Sequence, residues 1–153
     1  MNQNKLKQIT ENITTKQELV YLLDDISQAK DLIYKQSNKK LSEKVKNVVS
    51  EDLRKIIKNQ EGNLNTREEQ EEFLNQLKSQ LQSVPQIKLT LAFSPSDSFL
   101  NDISQWLENE TGEHTIIDLT VNPEIVGGAI IEYDGHYLNF GLDKKIEKIN
   151  THE

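Results

Sequence analysis

Apolar residues recur at steps of three and four along the first half of the chain and at steps of two along much of the second. Leu19, Leu22, Leu23, Ile26, Ala29 and Ile33 mark one face of a helix, and Thr15 with Glu18 gives the Ser/Thr-x-x-Glu pattern that caps a helix start. Leu41, Val45, Val48, Val49, Leu53, Ile56 and Ile57 form a second stripe, predicting one helix that ends near Gly62, a residue type that tolerates a left-handed cap. The polar run Gln36-Ser37-Asn38-Lys39-Lys40 separates the two. Thr66 and Glu69 repeat the capping pattern ahead of Phe73, Leu74, Leu77, Leu81 and Val84, so a third helix is expected to stop before Pro85.

Beyond Pro85 the period changes. Ile87, Leu89 and Leu91 alternate with Lys88 and Thr90, as in a strand with one buried face. Ser94 as cap, Pro95 at the first helical position and Asp97 near the positive helix end open a helix carrying Phe99, Leu100, Ile103, Trp106 and Leu107, closed by Gly112. Strands are expected from Thr115 to Val121, from Ala129 to Tyr133 and from near Tyr137 to Phe140, the last two joined by a turn that includes His136. A final short amphipathic helix presents Leu142, Ile146 and Ile149. The pattern is that of an α+β protein: a helical arm or hairpin over residues 1–62, then a small β-α-β-β-β-α domain over residues 63–153, with residues 63–85 as a bridging helix.

The passage Val121-Asn122-Pro123-Glu124-Ile125-Val126-Gly127-Gly128 joins two of those strands. Pro123 fixes its own φ and biases Asn122 toward extended backbone, and the paired glycines permit angles or close approaches that a Cβ forbids. Phosphate-binding loops lead from a strand into a helix N-terminus, whereas Gly127-Gly128 leads into a strand, so the expected role is a bend and not a nucleotide cradle.

Composition narrows the chemistry further. Hydrophobic residues are 35% and aromatics 6% of the chain, so the core must be mostly aliphatic. The absence of cysteine removes disulfides, thiolate metal sites and thiol nucleophiles together and fits a reducing compartment. No run reaches the roughly 18 apolar residues that read as a membrane span, and the polar start is unlike a secretory signal, so a soluble cytoplasmic protein is expected. Residues 1–84 carry 14 basic against 13 acidic side chains, and residues 85–153 carry 4 against 12, which puts the acidity in the second half and argues against nucleic acid.

Candidate catalytic groups each have a plainer explanation. His114, His136 and His152 share no ligand spacing, so no metal site is expected. Glu68, Glu69, Glu71 and Glu72 fall in the first turns of a helix, where carboxylates meet the positive dipole end. Ser94, Ser96 and Ser98 have no His and Asp in triad order, and capping accounts for them. Trp106 is expected in the core, with a partner-facing position as the minority reading. No catalytic, cofactor or metal residue is expected anywhere.

The order of these motifs resembles the delta subunit of bacterial rotary ATP synthases, equivalent to the mitochondrial oligomycin-sensitivity-conferring protein. The resemblance runs from Gln86 to Asn150: the strand to Ala92, the helix from Ser94 to Gly112, the motif Val121, Asn122, Pro123, Gly127, Gly128, then the hairpin and last helix. Asn122 stands where the family has aspartate, Asn139-Phe140-Gly141 where it has Asp-x-Ser, and the amino-terminal part is shorter and lacks the Tyr-Ala-x-Ala-Leu opening. The resemblance implies a noncatalytic stator subunit of a proton- or sodium-translocating ATP synthase. Its implied partners are the alpha and beta subunits of the catalytic head and the b subunits of the peripheral stalk. Its implied place is the cytoplasmic side of the cell membrane, held there through the complex, with Leu142, Ile146 and Ile149 as the stalk interface. Two alternatives stand beside it. One is a small-molecule-binding or hydrolytic α+β domain with a helical regulatory arm, in which Asn122, Glu124 and His136 would converge on a cleft. The other is the related peripheral-stalk protein of vacuolar-type ATPases, which shares a similar proline and double-glycine passage.

Overall fold

A computed structural model describes residues 13–35, 39–60, 62, 64–125 and 127–140. Residues 17–84 fall in one compact unit, and Thr14–Lys16 together with the chain from Pro85 onward in a second.

The first unit is helical: α1 (Lys16–Lys35, its body from Gln17 on), α2 (Leu41–Val45), α3 (Glu51–Gln60) and α4 (Arg67–Gln82). The residues read as stripes are the ones that turn inward. Ile26, Ile33, Leu41, Leu53, Ile57, Leu74, Leu77 and Leu81 are almost wholly buried, and each such side chain contributes about 1.5–3 kcal/mol over leaving it exposed. The single helix expected from Leu41 to Ile57 is two helices, with Val49 buried and Val48 exposed. Ser50 makes the break. Its N–H donates to Asp25 Oδ2 at 2.9 Å and its hydroxyl accepts from the Leu53 N–H at 3.4 Å, so the chain is capped afresh with Glu51 and Asp52 in the new first turn. The Arg54 guanidinium donates to the Lys46 carbonyl at 3.1 Å across the same turn. Gly62 is not a left-handed cap; α3 ends at Gln60.

At the start of α4 the capping pattern forms in full. Thr66 Oγ1 accepts from the Glu69 N–H at 3.2 Å, and Glu69 Oε2 accepts from the N–H groups of Thr66 and Asn65, each at 2.9 Å. The bond from the Thr66 backbone is the main cause that holds the Glu69 carboxyl below its ordinary range. Near it lies a buried cation. Lys44, 4% exposed, donates to Gln70 Oε1 at 2.9 Å, and Gln70 Nε2 donates to the Leu64 carbonyl at 3.1 Å. Burial pushes the Lys44 ammonium below its usual pKa, and the Arg67 charge adds to the shift.

The second unit holds β1 (Gln86–Leu91), α5 (Asp97–Thr111), β2 (Ile116–Val121), β3 (Ala129–Tyr133) and β4 (His136–Asn139). Its sheet has the order β2-β1-β3-β4, with β1 and β2 parallel and the other neighbours antiparallel. Parallel neighbours need a crossover, and α5 supplies it. Ile87, Leu89, Leu91 and Ile117 share one face with Leu100 and Leu107 of α5, and Ile103, Leu119, Ala129, Ile131 and Tyr133 pack against that cluster. Asp134 (φ 46°) and Gly135 (φ 75°) make the tight turn between β3 and β4, so His136 begins a strand and does not sit in the turn. Thr15, read from the sequence as a cap, bridges Ile117 in parallel, and the Ile117 N–H donates to the Thr14 carbonyl at 2.9 Å. The segment Thr14–Lys16 thus lies along the side of β2 away from β1.

Two details of α5 differ from expectation. Its cap is Ser96, whose hydroxyl accepts from the Phe99 N–H at 3.3 Å, and Pro95 precedes the cap instead of opening the helix. Trp106 is half exposed and not a core residue. Gly112 closes the helix in the left-handed region, as its position predicts. The final helix expected around Leu142 to Ile149 lies outside the described residues.

Thr66→Ala is expected to lower stability by about 1 kcal/mol in denaturant titrations. Because Glu69 titrates below its unfolded value, the stabilisation it adds is present above about pH 4.3 and is lost as pH falls through the lower folded pKa, so Glu69→Gln, which removes the titrating group, should show a flatter acid limb. Lys44→Met should behave in the opposite pH range. A depressed lysine pKa penalises the fold while the group is charged, and the penalty fades as pH rises through the folded pKa toward about 10.4. The urea midpoint of the unsubstituted protein should therefore gain on that of the variant between pH 7 and pH 10.

Candidate functional site

Three features of the second unit have the residue types from which a site is built. The first is the passage from β2 to β3, which reverses the chain and carries it from one side of β1 to the other. The Asn122 N–H donates to the Leu91 carbonyl at 2.8 Å, prolonging the β1–β2 ladder by one bond. Asn122 Oδ1 then accepts from the Glu124 N–H at 3.0 Å, and its carbonyl accepts from the Ile125 N–H at 3.2 Å, which wraps the turn around Pro123. An aspartate at this position would offer the same acceptor; the asparagine makes the bond without the charge. Gly127 (φ 69°) and Gly128 (φ 87°) both sit in the left-handed region that disfavours a Cβ, and Ala129 resumes pairing opposite Leu91. Val121 is 40% exposed at the end of β2.

The second feature is a row of charges across the sheet. Strand register sets Asp118 beside Lys88, Lys88 beside Glu132, and Glu132 beside Tyr137. Lys16 pairs with Asp118, and Lys88 pairs with Glu132 at 3.3 Å. With each side chain a third to a half exposed, such pairs contribute at most about 1 kcal/mol apiece, so their stronger effect is to fix register by opposite charge. Gln86, Lys88, Asp118, Glu132, His136 and Tyr137 line a shallow open depression there. Asn122 and Glu124 do not line it, so the three residues that a hydrolytic reading would bring together are not gathered in this depression. Among the described residues no group of three His, Asp or Glu side chains stands ready for a metal ion.

The third is the outward side of α5. Phe99 is 38% exposed and Trp106 50%, and Phe93 from the preceding loop meets Phe99 edge-to-face, centroids 5.7 Å apart. Sequence periodicity assigned Trp106 to the core because the helical stripe is wide. The inward positions are in fact Leu100, Ser104 and Leu107, and the stripe's outer edge faces solvent.

Other candidate residues have local duties. Ser96 caps α5 and lies 2.9 Å from Ser98 through their hydroxyls. In the first unit Glu71 accepts from the Tyr34 hydroxyl at 2.6 Å, which raises the phenol pKa, while the Arg67 guanidinium lies 4.3 Å over the same ring. That Arg67–Tyr34–Glu71 cluster joins residues 37 apart, and no local pattern signals it. Leu142, Ile146 and Ile149 lie outside the described residues. Gly128→Val, which forces a β-branched residue to φ near 87°, is expected to cost about 1–3 kcal/mol, measured as a lowered thermal midpoint of the second unit.

The profile of the family described as ATP synthase delta (OSCP) subunit matches residues 2–152. No curated protein matches the chain. The match takes in the amino-terminal helices as well as the segment from Gln86 onward, so the resemblance is not confined to the second half. Across nearly its whole length the chain therefore belongs to the ATP synthase delta family, that of the oligomycin-sensitivity-conferring protein, whose members are noncatalytic subunits of the peripheral stalk.

Proposed function

We propose that this chain is the stator link that joins the catalytic head of a bacterial proton- or sodium-translocating ATP synthase to its membrane-anchored stalk. The observation that carries this reading is the family match across both compact units. A stator must hold the head still against the turning shaft, so its task is met by a persistent fold and two interfaces, with no bond made or broken. The helical unit would meet the alpha and beta subunits of the head. The acidic second unit would meet the stalk's b subunits, with Leu142, Ile146 and Ile149 on its contact face. Among the described residues no helix is long and apolar enough to cross a membrane, which fits attachment through partners at the cytoplasmic face. The vacuolar-type alternative calls for one very long amino-terminal helix, whereas α1 has 20 residues and is followed by three shorter helices.

Affinity purification of the tagged chain from its own cells in mild detergent should recover head and stalk subunits together. Deleting the chain should leave ATP hydrolysis by the head uncoupled from ion pumping in membrane vesicles. Coupled pumping at normal yield without it would refute the assignment. Within the complex, Ile146→Asp is expected to release the stalk subunits while head subunits still co-purify.

A further inference from the structure

We propose that the outward face of α5 is a docking surface for a basic amphipathic helix belonging to another polypeptide. This goes beyond the stator assignment, since it names a surface and the chemistry of its occupant without depending on which subunit supplies it.

The surface is a ridge. Phe99 and Trp106 stand seven residues apart, two turns along one side of α5, while the half-buried Ile103 between them packs against the core cluster. Phe93 lengthens the ridge at the amino-terminal end through its edge-to-face contact with Phe99. Single exposed apolar side chains are ordinary, but three large aromatics, each 38–50% exposed, two on α5 and Phe93 in the loop before it, form a patch of the kind that marks a protein contact. The spacing selects the shape of the occupant, because a ridge of this period fits the groove of a second helix.

Charge selects its chemistry. Asp97, Asp102, Glu108 and Glu110 are the charged residues of α5, which has no lysine, arginine or histidine. Asp102 stands three residues after Phe99 and four before Trp106, and Glu110 four after Trp106, so both carboxylates flank the ridge. Between Lys88 and Lys144 the chain has ten acidic residues and no lysine or arginine. Lys16 and Lys88 are paired with Asp118 and Glu132. A second copy of this face would bring Asp102 and Glu110 against carboxylates of the same kind, and nucleic acid or an anionic lipid surface would be repelled in the same way. A helix with apolar residues along one side and lysine or arginine at its margins satisfies both the ridge and the carboxylates.

Trp106 is the one tryptophan of the chain, so its fluorescence reports on this face directly. The full-length protein is titrated with a synthetic leucine–lysine peptide patterned at helical spacing, beside a peptide of the same composition in scrambled order. The patterned peptide should bind saturably, shift Trp106 emission to the blue and shield it from acrylamide; the scrambled peptide should do neither. Asp102 and Glu110 are exposed, so Asp102→Lys with Glu110→Lys leaves the fold intact, and it should weaken binding about tenfold and reduce its salt dependence. Phe99→Asp should abolish the shift, with circular dichroism confirming that the variant is folded. The proposal is overturned if the scrambled peptide binds as well, if the charge-reversed protein binds unchanged, or if Trp106 of the free protein already resists acrylamide, which would mean that the face is covered by the chain itself or by a second copy.

Discussion

The second unit depends on the dual pairing of β1. This strand runs parallel to β2 on one side and antiparallel to β3 on the other, so it supplies ladder hydrogen bonds in two patterns at once. Its apolar face, Ile87, Leu89 and Leu91, lies at the centre of the cluster that α5 covers. For β3 to reach the far side of β1, the chain must leave β2, pass the end of β1 and reverse. Asn122 makes the first part of that path with its backbone and its side chain, and two successive glycines with positive φ complete it. A constraint of this kind accounts for a conspicuous motif without any chemistry performed on it.

The helical unit is organised by a different economy. Its core is almost wholly aliphatic, and its turns are closed by polar groups at helix ends: Ser50 with Asp25, Thr66 with Glu69, Lys44 with Gln70. Each bond is small in net terms, and the cost of leaving such a group unpaired inside the protein is larger. Short helices whose ends find such partners hold their place better than propensity alone would allow.

Periodicity revealed much of this arrangement, because helix and strand impose different spacings on apolar residues. The change of period at Pro85, the cap at Thr66, the strands around Leu89, Ile117 and Ile131, and the family motif from Val121 to Gly128 were all readable one segment at a time. Events that need two distant segments were not. The break at Ser50 hid inside a continuous apolar stripe, because Val48 and Val49 kept the period while the backbone turned; the acceptor on Asp25 that stabilises the turn lies 25 residues away. Ser96 displaced Ser94 as the cap by two residues in a run where either fits the pattern. Trp106 was misplaced because a helical stripe shows which residues share a side, but not how wide a strip the neighbouring sheet covers. The charge row from Lys16 to Glu132 needs strand register, which single strands do not disclose.

The short segment Thr14–Lys16 makes the second unit discontinuous in the chain. It lies along β2, yet the chain leaves it for the helical unit at Gln17 and returns only at Pro85. The chain therefore passes from one unit to the other after Lys16 and passes back after Val84. Severing the chain after Val84 would not yield a finished half: the remaining fragment would lack its outermost strand segment and present β2 as a raw edge, open to pairing with strangers.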